Sequence, residues 1–108
     1  MSNTDKTPTP PYYAVIFTSV RTDGDNGYEK MAEKMVELAS RQKGFLGIES
    51  ARDKETGITV SYWDSLEAIK AWKEHTAHKA AQEKGQTDWY KHYKVRICRV
   101  ERAYSFDQ

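Results

Sequence analysis

Gly44-Phe45-Leu46-Gly47-Ile48-Glu49-Ser50-Ala51, then Arg52 to Gly57, then Ile58-Thr59-Val60-Ser61-Tyr62-Trp63, is the stretch on which the fold turns. Its two flanks are apolar, β-branched and aromatic, and both read as strands, over Phe45–Ala51 and Ile58–Trp63. The piece between them, Arg-Asp-Lys-Glu-Thr-Gly, is a charged turn, so the two strands form a hairpin. Ser65 follows directly and is a good N-cap, and the apolar spacing then changes to that of a helix through Leu66, Ile69 and Trp72.

Toward the N-terminus the period is again helical. Tyr28, Met31, Met35 and Leu38 recur at intervals of three and four among Glu and Lys, which predicts an amphipathic helix over Tyr28–Gln42 ended by Gly44. Thr22 to Gly27 is a turn cluster, and Tyr12–Val20 alternates as a first strand. Met1 to Pro11 reads as a flexible arm, because Pro8, Pro10 and Pro11 fix φ and remove donors. Toward the C-terminus, Ala77–Gln82 continues as helix and is closed by Gly85. Thr87–Tyr93 is a short helix or an aromatic loop. Lys94–Tyr104 is the last strand, and Ser105–Gln108 is tail.

The order β-α-β-β-α-β is the ferredoxin-like arrangement of the α+β class: an antiparallel four-stranded sheet with both helices on one face. Strand one is apolar on both faces, with Tyr13, Val15 and Phe17 on one and Ala14, Ile16 and Thr18 on the other. A bare apolar sheet face is a liability in a monomer. Packing two sheets face to face removes it, so the expected partner is a second copy of the chain, a homodimer through the sheet face. Within one chain, the aromatic tail or the segment near Trp89 is the alternative cover.

The chain has 108 residues, which fits a single domain over residues 12–108 behind the arm 1–11. A net charge of +1 with interspersed signs gives no basic footprint for nucleic acid. No apolar run approaches the roughly 20 residues that span a bilayer, and the start lacks the marks of a signal peptide, so no membrane partner and a cytoplasmic location are expected. The lone Cys98 excludes an internal disulfide, and inert burial is its default reading.

The stretch Gly44–Ser50 followed by Ile58–Ser65 resembles the second and third strands of antibiotic biosynthesis monooxygenase (ABM) domains. In that family a Gly-Phe pair ends the first helix. A strand ending in Trp then leads into a helix that carries another Trp and a His, here Trp63, Trp72 and His78. The resemblance covers Tyr12 to Tyr104 and implies a dimeric α+β barrel. Relatives include oxygenases that act on polycyclic phenols without metal or organic cofactor, haem-degrading enzymes, and members without known activity. Haem degradation implies an Asn on strand one and a His ten residues after the helix Trp. Here Phe17-Thr18 and Gln82 stand at those positions, so haem is not expected.

Among single residues, His78 and then His75 are the candidates for a proton-handling role, since a His titrates near neutrality. They lie three apart and share a helical face, but beyond Glu74 and distant Glu49 no Asp or Glu is placed as an obvious third ligand, so no metal is expected. Trp72 extends the stripe Leu66, Ile69 and serves as core whatever else it does. Trp63 and Tyr62 point to opposite sheet faces, Ser61 with Trp63 and Val60 with Tyr62. Glu49, mid-strand, is expected to pair with Arg96 or Arg102 or to sit at a rim. Neither a phosphate-cradling glycine loop nor a dinucleotide fingerprint is present, and no cofactor is expected.

Two functions follow. One is a cofactor-independent oxygenase of an electron-rich aromatic, a hydroquinone or an anthrone-like phenol. His78 or Tyr62 would take the proton, with Trp63, Trp72, His75 and Phe17 binding the ring. The other is a non-catalytic dimeric module that binds a small molecule or serves in stress.

Overall fold

The computed structural model describes residues 8–24, 27–83 and 89–108, and the side chains of these apart from 77–83. The elements run β1 (Tyr12–Arg21), α1 (Tyr28–Ser40), β2 (Phe45–Arg52), β3 (Thr56–Trp63), α2 (Leu66–Glu83) and β4 (Tyr90–Val100). All strand pairs are antiparallel, in the order β2-β3-β1-β4. This is the ferredoxin-like α+β architecture that the alternating periods predict.

The boundaries move where local chemistry outweighs period. Helix α1 stops at Ser40, because Arg41 and Gln42 donate to Leu38 and Ala39, three residues back, which tightens the last turn. Gly44 therefore lies beyond the helix, at φ +88°, and its carbonyl accepts from Asp64 N–H at 2.8 Å. It ties the entry to β2 to the exit from β3. Ser65 caps α2, its Oγ accepting from the Ala68 amide at 3.1 Å.

The last strand is the largest shift, since β4 spans Tyr90–Val100 rather than Lys94–Tyr104. Its N-terminal aromatics stack on β1, as Tyr93 does on Phe17 at 5.2 Å. Its C-terminal end is set by its partner: Val100 pairs with Tyr12, and Pro11 before Tyr12 has no N–H to extend the ladder. Of the loop readings, Asp25, Asn26, Gly85 and Thr87 lie outside the described residues.

Register assigns the faces. Trp63 lies opposite Tyr13, Ser61 opposite Val15, and Val95 opposite Phe17, all on the helix side. Tyr62, Val60 and Ile58 lie opposite Ala14, Ile16 and Thr18 on the other, open side. The core is on the helix side: Ala39, Trp63 and Ile69 are buried, with Tyr13, Val15, Phe45, Ala68 and Trp72 packed against them. Helix α1 packs chiefly on β2 and α2 on β3, so the helix side of β4 is left bare. Trp89 is buried at the far end of β1, where its carbonyl accepts from the Thr22 amide at 3.0 Å and from Arg21 Nε at 3.2 Å. The arm 101–108 is exposed throughout. Cys98 is exposed as well, against the default of burial, because β4 is an edge strand and its open face has no layer above it.

Candidate functional site

Trp63 is the most enclosed side chain, with none of its surface exposed. It ends β3, where Phe45 of β2 meets its ring edge-on at 5.5 Å. Its indole Nε1 donates to Ser61 Oγ at 2.9 Å, so burying the N–H leaves no orphan donor. Ser61 is on the same face two residues earlier, which is why that polar residue is itself buried.

Over Trp63 lies α2. Ile69, Trp72 and His75 recur every three residues and face the sheet together. The Trp72 ring stacks on Trp63 at 5.9 Å between centroids and 29° between planes. The His75 ring stacks on Trp72 at 5.5 Å and 19°. The result is a ladder of flat rings, Phe45, Trp63, Trp72 and His75, that starts in the core and ends at exposed His75. Trp63 is fully enclosed, so a flat ligand could meet only the partly exposed rings of the ladder, Phe45, Trp72 and His75. The side chain of His78, three residues further along α2, lies outside the described residues.

Phe17 shares the helix side of the sheet but not the ladder. It is four residues from Tyr13 along β1, roughly 13 Å at strand rise, and belongs to a second ring cluster. Tyr90 meets it edge-on at 5.5 Å and also meets Tyr28 at 5.8 Å. The Arg21 guanidinium lies 3.5 Å over the Tyr28 ring, and Arg52 donates to the Tyr28 hydroxyl at 3.0 Å. Burial, reinforced by Tyr28, pushes the Tyr90 phenol well above its ordinary range. The period of the sequence marked Tyr28 as a core-facing helix residue. It could not show that two arginines from different strands converge on it. A shallow polar depression lined by Arg21, Thr22, Asp23, Gly24 and Lys54 lies at this end and has no part in the ring ladder.

Tyr62 is separated from all of this. It lies on the open face, opposite in direction to Trp63, so it cannot share a substrate ring with Trp63 and Trp72 of its own chain. Its hydroxyl donates to Glu49 Oε2 at 2.6 Å. That bond, then burial and the carboxylate charge, pushes the Tyr62 phenol up to about 12. A phenol held protonated in this way is a poor base near neutrality. Of the two readings of Glu49, the ion pair with Arg96 is not made, since Arg96 stands on β4 at the opposite edge of the sheet; Glu49 is exposed to solvent and its partner is Tyr62. Among the described residues, no three His, Cys, Asp or Glu side chains converge as a metal-ligand set.

Comparison with known proteins agrees with this architecture. The model of the family "Antibiotic biosynthesis monooxygenase" matches residues 11–84. The chain is 56% identical over 104 residues to the uncharacterised protein YqjZ of Bacillus subtilis strain 168, covering 95% of this chain and 91% of that one. Among solved structures it resembles SnoaB, a cofactor-independent oxygenase from Streptomyces nogalater, with a TM-score of 0.70 at 10% identity over 87% of this chain and 97% of that one. It also resembles a putative antibiotic biosynthesis monooxygenase from Nitrosomonas europaea, with a TM-score of 0.67 at 19% identity over 87% and 95%. The match of the family model over residues 11–84, with the β-α-β-β-α-β order, makes this chain a member of the antibiotic biosynthesis monooxygenase family.

Proposed function

We propose that the protein is a homodimeric, cofactor-independent monooxygenase of an electron-rich aromatic, a hydroquinone or an anthrone-like phenol. The observation that carries this reading is the ring ladder from buried Trp63 through Trp72 to exposed His75. A flat substrate stacked on the partly exposed rings of that ladder would be desolvated on one side and open to dissolved oxygen on the other. His78, one helical step beyond His75 and nearest in sequence to the mouth, is the proposed base. Tyr62 is not part of this set.

The chemistry asks little of the protein beyond binding, deprotonation and exclusion of water. The base takes a proton from the acidic ring carbon of an anthrone-type substrate. The carbanion passes one electron to oxygen, and the resulting radical pair joins through a new C–O bond as a hydroperoxide. Breaking its O–O bond releases water and leaves a carbonyl. One CH2 and one O2 thus become one C=O and one H2O. The open sheet face, with Ile16, Val60, Ile58 and Tyr62, is the proposed contact with the second copy.

The test is oxygen uptake by the purified protein with a panel of hydroquinones and anthrone-type phenols, with no metal, flavin or nicotinamide added. Saturable uptake above the free-substrate rate is expected. His78→Ala should lower kcat/KM by about 10²-fold or more while the far-ultraviolet circular dichroism is kept. Trp72→Phe should raise KM more than it lowers kcat. A flat trace across the panel, together with saturable quenching of tryptophan fluorescence by the same compounds, would instead make the protein a binding module.

A further inference from the structure

Three exposed apolar side chains alternate along the helix side of β4: Tyr93, Val95 and Ile97, with 41%, 46% and 50% of their surface exposed. They lie beside Phe17 and Val15 on the helix side of the sheet, next to the strands that α1 and α2 cover. Immediately after β4, the arm 101–108 holds two further large apolar side chains, Tyr104 and Phe106, exposed to 96% and 86%. They too are two residues apart, so in an extended arm they point to the same side with the period of the row on β4.

We propose that the arm of one copy of the chain lies across the helix side of β4 of a second copy, so that Tyr104 and Phe106 cover Tyr93, Val95 and Ile97 and close the partner's helix-side layer beside Phe17 and Val15. This rests on the homodimer proposed above and adds to it a contribution of each copy to the other's helix-side layer.

The choice of a second copy has three grounds. First, the arm's own β4 is a poor target. To reach Tyr93–Ile97 the arm must reverse directly after Val100, yet residues 101–108 contain no glycine or proline. The ion pair from Arg99 Nε to Glu101 Oε2, at 3.3 Å, also keeps the first arm residue beside the strand end. Second, the arm is long enough, spanning up to roughly 26 Å when extended. Third, β4 carries Lys91, Lys94, Arg96 and Arg99 and no acid. Joining two β4 edges would set like charges side by side, whereas the arm beyond Glu101 carries one base, Arg102, and brings Asp107 to that strand beside Tyr104 and Phe106.

The experiment is disulfide trapping. Val95→Cys and Tyr104→Cys are made singly and together in a Cys98→Ser background, with sedimentation of each reduced protein to give its mass. Both positions are exposed, so the variants should keep the fold. The expected result is a two-chain mass when reduced and, on mild oxidation, a two-chain species on a non-reducing gel that requires both cysteines. An oxidised species of single-chain mass with no free thiol would show the arm folding back on its own strand. A two-chain species formed by Tyr104→Cys alone would show arms meeting each other. A two-chain reduced mass with thiols left free would remove the docked arm but keep the dimer. A single-chain reduced mass would remove the dimer and the arm together. Independently, Tyr104→Ala with Phe106→Ala should raise the dimer dissociation constant by about tenfold or more, and an unchanged constant would overturn the proposal.

Discussion

At Tyr62 the hydroxyl donates to Glu49 Oε2 at 2.6 Å, and the hairpin register sets both on the open face, with Glu49 opposite Val60 and Gly47 opposite Tyr62. Phe45 pairs with Trp63, but Gly47, not Leu46, pairs with Tyr62, so one extra residue enters β2 there. That bulge returns Phe45 to the helix side opposite Trp63, while Leu46 is left 39% exposed. The alternation of Tyr62 and Trp63 was legible in the sequence because parity is a local property. The partner of Glu49 was not, because it depends on which residues of β2 and β3 the turn sets opposite each other. The bond has a measurable consequence. With its pKa raised from 10.0 to about 12, Tyr62 binds its proton more tightly folded than unfolded. Its contribution to stability is therefore full below pH 10 and is lost as pH rises through about 12. Phenolate absorbance, with Tyr62→Phe to identify the transition, should show it near that value. Glu49→Gln should bring it back toward 10, since the charged acceptor that opposes ionisation is gone. A transition unmoved by Glu49→Gln would mean that burial, not this bond, sets it.

Among the elements, the strands and helices were legible because each buries a face at its own period. Their ends were not, because ends depend on partners. Strand β4 stops where β1 runs out of donors at Pro11, a fact that resides in another strand. Gly44 shows the same dependence. Its sequence position suggests a helix stop, whereas its geometry is that of a junction: a Cβ there would stand 2.5 Å from Asp64 Oδ1 and 2.7 Å from Ala68 Cβ. Gly27 has a similar backbone, φ +83° against +88°, but nothing lies within 4 Å of its would-be Cβ. The pair separates backbone strain from crowding. Gly27→Ala should cost about 1 kcal/mol, the left-handed backbone alone. Gly44→Ala should cost about 3 kcal/mol, because the turn into β2 and the start of α2 must also move apart. Urea denaturation of both variants reads the difference, and equal costs would mean that the β3–α2 junction gives way freely.

For the whole molecule, the unequal cover of the two sheet faces is the decisive feature. The helix side has a core built on Trp63, whereas the open side carries Ile16, Val60 and 47%-exposed Ile58, over which no helix or strand of the described residues packs. Composition gave the apolar character of both faces, but no sequence pattern states what a second copy would cover. Ile58→Lys addresses the open face directly. In a lone chain the substitution is at the surface and should change stability by no more than about 0.5 kcal/mol. In the proposed dimer it would desolvate a charge against the partner sheet, at a cost of several kcal/mol. The parent protein should therefore sediment with a two-chain mass and show a Tm that rises with concentration. The variant should sediment as one chain, with a Tm that does not depend on concentration. Retention of the two-chain mass by Ile58→Lys would shift the interface away from the open face. Disulfide trapping of the arm reads a different surface, the helix side of β4, so the two results are separable: a dimer lost in Ile58→Lys but not trapped between positions 95 and 104 assembles through the sheet face alone.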